Sequence, residues 1–194
     1  MKIYLTRHSK TLWNQEKRLQ GRLDSPLTQE GIENAQALKK YLHDSHLKFD
    51  YIYTSPILRA YHTASLLFDE NKLIQDERLM EMNFGDFEGR KIADIHLTDH
   101  ESYDDVIARV NSFLNDLTKL PSQSQVLIVT HGMYFIIMLA VMLHLERKDF
   151  IRINQKVVEG CSLTCVEYDG QDYHVLSYNQ HDYLPHVMNA SFAK

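Results

Sequence analysis

Four short stretches of the chain put basic or acidic side chains directly after an apolar segment. They are LTRHS with Arg7 and His8, YTSPILRA with Arg59, RLMEMNFGDFEG with Glu81, and IVTHG with His131. Taken singly, an Arg-His pair at a strand end is ordinarily solvated, and an arginine early in a helix ordinarily meets a surface carboxylate. Taken together, they point to one place. If each stretch closes a strand of one parallel sheet, all four share the rim at the strands' carboxyl ends, where open α/β sheets hold ligands. Two arginines and two histidines there make a pocket for a doubly charged anion. Phosphate is the natural candidate, because a guanidinium fork matches its oxygens two at a time.

The elements that would carry these residues can be read from periodicity. Strand-like segments fall near residues 2–6, 50–54, 72–75, 125–130, 161–167 and 173–178. Residues 28 to 43 place Ile32, Ala35, Leu38 and Leu42 on one helical face. Ser55 offers an N-cap with Pro56 at the first helical position, and Ser102 a second N-cap before Val106, Ile107, Val110, Phe113, Leu114 and Leu117. Met133 to Leu143 carries no charge and is too short to span a bilayer, so it reads as a buried helix. Alternating strands and helices predict an α/β three-layer sandwich, a mostly parallel central sheet with helices on both faces. The turn at Asp169-Gly170 adds a hairpin and an antiparallel edge strand. Residues of about 82–120 form a small helical cap in this reading.

Composition narrows the function. A net charge of −5 without a long basic block argues against nucleic acid as a partner, so any anion site is built locally. Residues 1 to 15 lack a sustained apolar core, which argues against a signal peptide and a membrane association. Cys161 and Cys165 are the only cysteines. On a strand their separation is roughly 13 Å, too long for a disulfide, which suits reduced thiols in a cytoplasmic protein. The eleven histidines are scattered without metal-ligand spacing, so no metal is expected.

The segment RHSKTLWNQEKRLQGRLDSPLTQEG resembles the signature of the histidine phosphatase superfamily, also called phosphoglycerate-mutase-like, whose usual form is R-H-G-E-T-x-W-N. SPILRAYHTA, LMEMNFGDFEG and VTHG continue the resemblance in the family's order, over nearly the whole chain. It implies one histidine-phosphatase-like domain over 1–194 that hydrolyses a small phosphorylated metabolite without cofactor or metal. In the implied roles His8 is the nucleophile that becomes phosphohistidine, and Glu81 gives and then takes a proton. Arg7, Arg59 and His131 hold the phosphate oxygens, with Asn14, Gln20, Gly21 and Gly132 beside them. Residue chemistry supports this division, since positive charge near His8 keeps its ring unprotonated and one carboxyl can serve both half-reactions.

Rival readings stand beside several of these. Asn14 suits a helix cap as well as a substrate contact. Glu77, Asp86 and Glu88 lie near Glu81, which is preferred only on the family's L-x-E spacing. Lys10 and Arg22 read as solvated, and His62, His174 and His181 as structural or surface residues. Ser9 and Lys10 depart from the family's glycine and acidic residue after the histidine. A phosphoglycerate-type mutase is the alternative activity. Only 49 residues lie between Glu81 and His131, however, with Arg90 and Arg109 as their only arginines. A low-turnover phosphate- or phosphoprotein-binding module is the third reading, although a binder has no chemical need for Glu81. Neither the substrate nor the oligomeric state follows from the sequence.

Overall fold

Lys2–Arg7 (β1), Tyr51–Thr54 (β2), Leu73–Gln75 (β3), Gln125–Thr130 (β4), Leu163–Tyr168 (β5) and Tyr173–Gln180 (β6) form one sheet in the order β3-β2-β4-β1-β5-β6. The structure is a computed structural model and describes residues 1–94, 100–146, 148 and 158–187. Strands β1 to β4 run parallel to their neighbours, whereas β5 is antiparallel to β1 and β6 to β5. The expected hairpin thus supplies two antiparallel strands at one side of the sheet. Gly170 takes the positive φ of 111° that its turn requires.

The period of two along the strands builds the layers. Ile3, Leu5, Val126 and Ile128 point to one core, while Tyr4, Leu127 and Val129 point to the other. Helices Tyr103–Leu117 and Gly132–Met142 cover the first face; helices Gln29–Asp44 and Leu58–Leu67 cover the second. With the short helix Leu12–Gln15 these are α1 (Leu12–Gln15), α2 (Gln29–Asp44), α3 (Leu58–Leu67), α4 (Tyr103–Leu117) and α5 (Gly132–Met142). Tyr134 to Ala140 and Met142 of α5 are all buried, so this uncharged helix is enclosed on every side. Burying each large apolar side chain contributes about 1.5–3 kcal/mol, which is why charge is absent from that helix.

Several expectations shift on contact with the structure. α3 starts at Leu58 with Ile57 as its N-cap, two residues later than a Ser55 cap with Pro56 in the first turn. The Ser55 hydroxyl is instead drawn to His131. On α2, Gly31 and Asn34 are buried where Ile32 is only half-buried, because the helix packs closely on the residues after β1. Cys161 precedes β5 in a tight turn at φ 64°, and both cysteines are buried free thiols. The segment of about 82–120 divides in two. Residues 82–94 form loops and short 3-10 turns, residues 95–99 lie outside the described ones, and α4 packs on α5 as part of a sheet-covering layer rather than as a cap.

Gly31 sits where the sequence alone would favour alanine, since Ala is the better helix former by roughly 1 kcal/mol. A Cβ there would fall 2.3 Å from the Lys10 carbonyl oxygen, a backbone atom that cannot swing away. Gly31→Ala is therefore expected to destabilise the protein by about 1–3 kcal/mol. Urea unfolding checks this, and an unchanged or raised midpoint would show that the β1–α2 contact is looser than described.

Candidate active site

β1 and β4 lie side by side and deliver His8 and His131 to the same rim. The His8 amide donates to the Thr130 carbonyl at 2.8 Å, extending the parallel pairing by one residue. His131 is the N-cap residue of α5. The two rings stand 5.3 Å apart between centroids, tilted by 55°. His8 Nδ1 is 2.7 Å from the Ser9 carbonyl oxygen, which can only accept. The proton therefore sits on Nδ1, and Nε2 carries a free lone pair. Burial, and then the charges of Arg59 and Arg7, hold the His8 pKa well below the usual imidazole value. His131 is lowered in the same way by burial, Arg59, His8 and Arg7.

The arginines are held by backbone carbonyls. Arg7 Nη1 donates to the Val158 carbonyl at 2.9 Å. Arg59, only 1% exposed, donates from Nη2 to the Gly21 carbonyl at 2.6 Å and from Nη1 to the Leu23 carbonyl at 2.7 Å. Asp24 Oδ1 accepts from Arg59 Nη1 at 3.3 Å and from its backbone N–H at 3.2 Å. Desolvation pulls both arginine pKa values down, and Glu81 opposes it. Among the described residues, Arg7 Nε, Arg59 Nε and His131 Nδ1 are buried nitrogens without a protein partner. Unpartnered buried polar atoms are rare and costly, so three around one centre mark a place for an acceptor.

Ser55 anchors the His131 ring. Its Oγ accepts from the Ile57 N–H at 3.3 Å and lies 2.7 Å from His131 Nε2. In the tautomer where Ser55 gives its proton to Nε2, Nδ1–H of His131 is the outward donor. Glu81 is held just as firmly. Its Oε1 accepts from the Met82 and Tyr134 N–H groups at 3.0 and 2.9 Å, and its Oε2 from the Met133 N–H at 3.1 Å. The carboxylate thus sits on the amino end of α5, where a negative charge is favoured.

Arg7, His8, Asn14, Gln20, Gly21, Arg59, Glu81 and Gly132 line one cavity of about 240 Å³. His131 is not among the residues of its wall and stands behind it, its ring beside that of His8. Asn14 answers to both of its readings. Its Oδ1 accepts from the Thr11 N–H at 3.1 Å in a capping box, and its amide end remains for the cavity. Of the acidic rivals, Glu77 and Asp86 are exposed, and the Glu88 carboxylate is taken up by backbone N–H groups. Glu81 is the carboxylate on the cavity wall. Lys10 pairs with Glu30 and Arg22 reaches Glu101, away from that wall. His62 is exposed, His174 pairs with Asp169, and His181 Nδ1 contacts the Asn179 carbonyl.

Ser9 is accommodated without strain, since its φ lies outside the positive region. Its hydroxyl donates to the Gly31 carbonyl at 2.6 Å, and its amide donates to Thr63 Oγ1 at 3.0 Å. The side chain that replaces the family's glycine therefore turns towards α2. Sequence reasoning missed Arg18, Leu19, Ile92, Met133, Ile136 and Val158, which complete the cavity with a largely apolar wall. Of the large apolar residues close to Glu81 in sequence, Phe84 lines the cavity, whereas Met82 and Phe87 do not. Arg18 lies between Asn14 and Gln20, and that position was the one available signal. Val158 comes from a stretch whose sequence pattern identifies no element.

The fold and the charge arrangement define a class: an α/β protein with a cavity carrying two arginines at the carboxyl rim of its sheet. The chain belongs to the histidine phosphatase superfamily (branch 1), whose family model matches residues 3–181. A probable phosphoglycerate mutase, GpmB, of Yersinia pestis is 30% identical over 192 residues, covering 87% of this chain and 85% of that protein. Among solved structures, Bacillus stearothermophilus YhfR aligns with a TM-score of 0.85 at 30% identity, covering 94% of this chain and 98% of its own. A putative alpha-ribazole-5'-P phosphatase from Escherichia coli aligns with a TM-score of 0.80 at 25% identity, covering 93% and 97%.

Two buried histidines with depressed pKa values give stability a pH signature. In the unfolded chain each takes up a proton below about pH 6.5, whereas the folded protein does not. Above that pH the pair contributes no pH dependence. As pH falls from 6.5, each histidine is expected to remove up to about 1.4 kcal/mol of stability per pH unit. His174, whose pKa is raised by Asp169, works the other way but is exposed, so its effect is small. Urea midpoints between pH 7.5 and 5 in phosphate-free buffer check this. His8→Asn should flatten the slope by about half, and a wild-type profile level across that range would contradict the buried neutral pair.

Proposed function

We propose that the protein is a metal-independent phosphomonoester hydrolase acting on a small phosphorylated metabolite in the cytoplasm. The observation that carries this reading is the set of three unpartnered buried nitrogens on Arg7, Arg59 and His131, side chains that all stand close enough to His8 to act on its ring. A phosphoryl group seated there would give Arg7 Nε, Arg59 Nε and His131 Nδ1 an oxygen each, with the Asn14 amide beside them. His8 Nε2 attacks phosphorus in line, the N–P bond forms, and the bond to the leaving oxygen breaks. Glu81 delivers the proton that the leaving oxygen takes up. Water then attacks phosphorus, Glu81 takes its proton, the N–P bond breaks, and inorganic phosphate departs. The fixed positive charge offsets the charge on the equatorial oxygens, the service a metal ion provides elsewhere. Among the described residues, no three His, Cys, Asp or Glu side chains are gathered as a metal site.

Hydrolysis is favoured over a mutase reaction by where the other arginines are spent. Arg109 is tied to Glu101 and to the Arg78 and Met80 carbonyls, and Arg90 is exposed against Phe87. Neither lines the cavity, so neither offers a place for a second acidic group of a phosphorylated acid. The mutase reading retains one support besides the name of the Yersinia relative: Arg18 at the cavity wall. Leu19, Phe84, Ile92, Met133, Ile136 and Val158 favour a leaving group with an apolar portion. A binding module of low turnover would leave Glu81 without purpose. No helix among the described residues is long and apolar enough to cross a membrane, and the buried free thiols of Cys161 and Cys165 suit a reducing compartment.

Chelator-treated protein should hydrolyse p-nitrophenyl phosphate at an undiminished rate, and His8→Ala should abolish it. A rate that magnesium or zinc restores after chelation would overturn the metal-independent mechanism. Glu81→Gln should cost roughly 10²–10⁴-fold with alkyl phosphates, whose leaving group needs the proton, and much less with aryl phosphates. Equal losses for both would remove the proton-donor role from Glu81.

A further inference from the structure

Beyond the residues that would touch substrate, one carboxylate joins the two loops that frame the cavity. Glu88 Oε1 accepts from the Arg22 N–H at 3.0 Å and from the Phe84 N–H at 2.9 Å, and Oε2 accepts from the Leu23 N–H at 2.9 Å. Two of these donors belong to the loop after α1, sixty-five and sixty-six positions away in sequence. The third follows the Glu81 loop, and Phe84 is itself a wall of the cavity. Glu88 does not line the cavity, so these bonds serve the loops rather than a substrate. They also tie down backbone that would otherwise lie in an open loop.

What that backbone does gives the contact its consequence. The Gly21 and Leu23 carbonyls accept from Nη2 and Nη1 of Arg59, and these two bonds orient the whole planar guanidinium. A guanidinium held at both terminal nitrogens has its Nε–H fixed in direction, and Arg59 Nε is one of the unpartnered atoms. Gly21 makes the approach possible. At φ 55° its missing Cβ would stand 2.0 Å from Glu88 Oε1, so any other residue would push the carboxylate out of place. The chain thus runs from Glu88 to the peptide groups of residues 21–23, from these to Arg59, and from Arg59 to the phosphoryl oxygen.

We propose that Glu88 is a positioning residue that acts through the Gly21 and Leu23 carbonyls to aim Arg59 at the phosphoryl group. The proposal rests on the phosphatase reading above, and its consequence is specific. Without the clasp, phosphate affinity and turnover fall together, and they fall only as far as Arg59 supplies them. Substituting glutamine keeps the size of the side chain but turns an NH2 group towards one of the three donors, so one backbone N–H loses its acceptor.

The test is a double-mutant cycle with Glu88→Gln and Arg59→Ala. It is read both by calorimetric binding of inorganic phosphate and by kcat/KM for p-nitrophenyl phosphate. Glu88→Gln alone should weaken both by roughly 10–100-fold, the scale of a misplaced catalytic contact. In the Arg59→Ala background the same substitution should change either by no more than about threefold. Equal losses in both backgrounds would show that Glu88 does not act through Arg59 and would overturn the proposal. So would undiminished binding and turnover in the single variant. Gly21→Ala approaches the contact from the other side and should give the same dependence on Arg59, so a poorly folding Gln variant leaves the question open to decision. A wild-type protein that neither binds phosphate nor hydrolyses the ester would instead defeat the phosphatase reading itself, an outcome separable from both of the others.

Discussion

Two guanidinium groups buried at one rim repel each other and are stripped of water, and the surroundings of the site answer that cost. Arg7 and Arg59 both carry pKa values lowered by desolvation, and Glu81 is the largest influence in the opposite direction on each. Backbone carbonyls of Gly21 and Leu23 hold both terminal nitrogens of Arg59, and that of Val158 holds Nη1 of Arg7, which orients each guanidinium. The same field keeps both histidines neutral, since protonating either would add a third positive charge in a dry place. A dianionic phosphoryl group is the natural partner for such a centre. It would supply at once the negative charge and the acceptors that the folded protein leaves unmet.

The scaffold serves this centre through close backbone approach. Parallel pairing of β1 with β4 sets His8 against Thr130, and the turn after β4 feeds directly into α5, whose first amides hold Glu81. Gly160 and Gly31 let neighbouring chain segments press against residues 8–10, where a Cβ would fall 2.8 Å from the His8 carbonyl or 2.3 Å from the Lys10 carbonyl. Ser9 fits because that crowding leaves its side chain one exit, towards α2, where the Gly31 carbonyl accepts its proton. The family's glycine is therefore not required by φ at this position.

How much of this was legible in the chain depends on the range of the interaction. Strand order aside, all six strands and the alternation of layers followed from period-two patterns and from turn residues such as Asp169-Gly170, which are local signals. Arg7, His8 and His131 were read from their places at strand ends and Arg59 from the segment after one, whereas Glu81 was told from its acidic neighbours only by the family's L-x-E spacing. Features that depend on distant partners did not. Ser55 reads as a helix cap until His131 arrives from seventy-six residues away to take its hydroxyl. Asn34 interrupts an apolar face because His186 comes to donate to it and accept from it near the far end of the chain. α4 looks like a cap insertion because its sequence shows an apolar stripe but not the sheet face that the stripe covers. The apolar cavity wall draws on residues from Leu19 to Val158, and no local pattern joins them.

Direct observation of the covalent intermediate tests the central claim, that a neutral His8 Nε2 takes the phosphoryl group. Protein mixed with 32P-labelled substrate, quenched rapidly in alkali and mapped by peptide, should carry the label on His8. The bond should be stable to base and labile to acid, as a phosphoramidate is. Label on Ser9 or on any other side chain, or a bond that survives acid, would contradict the account.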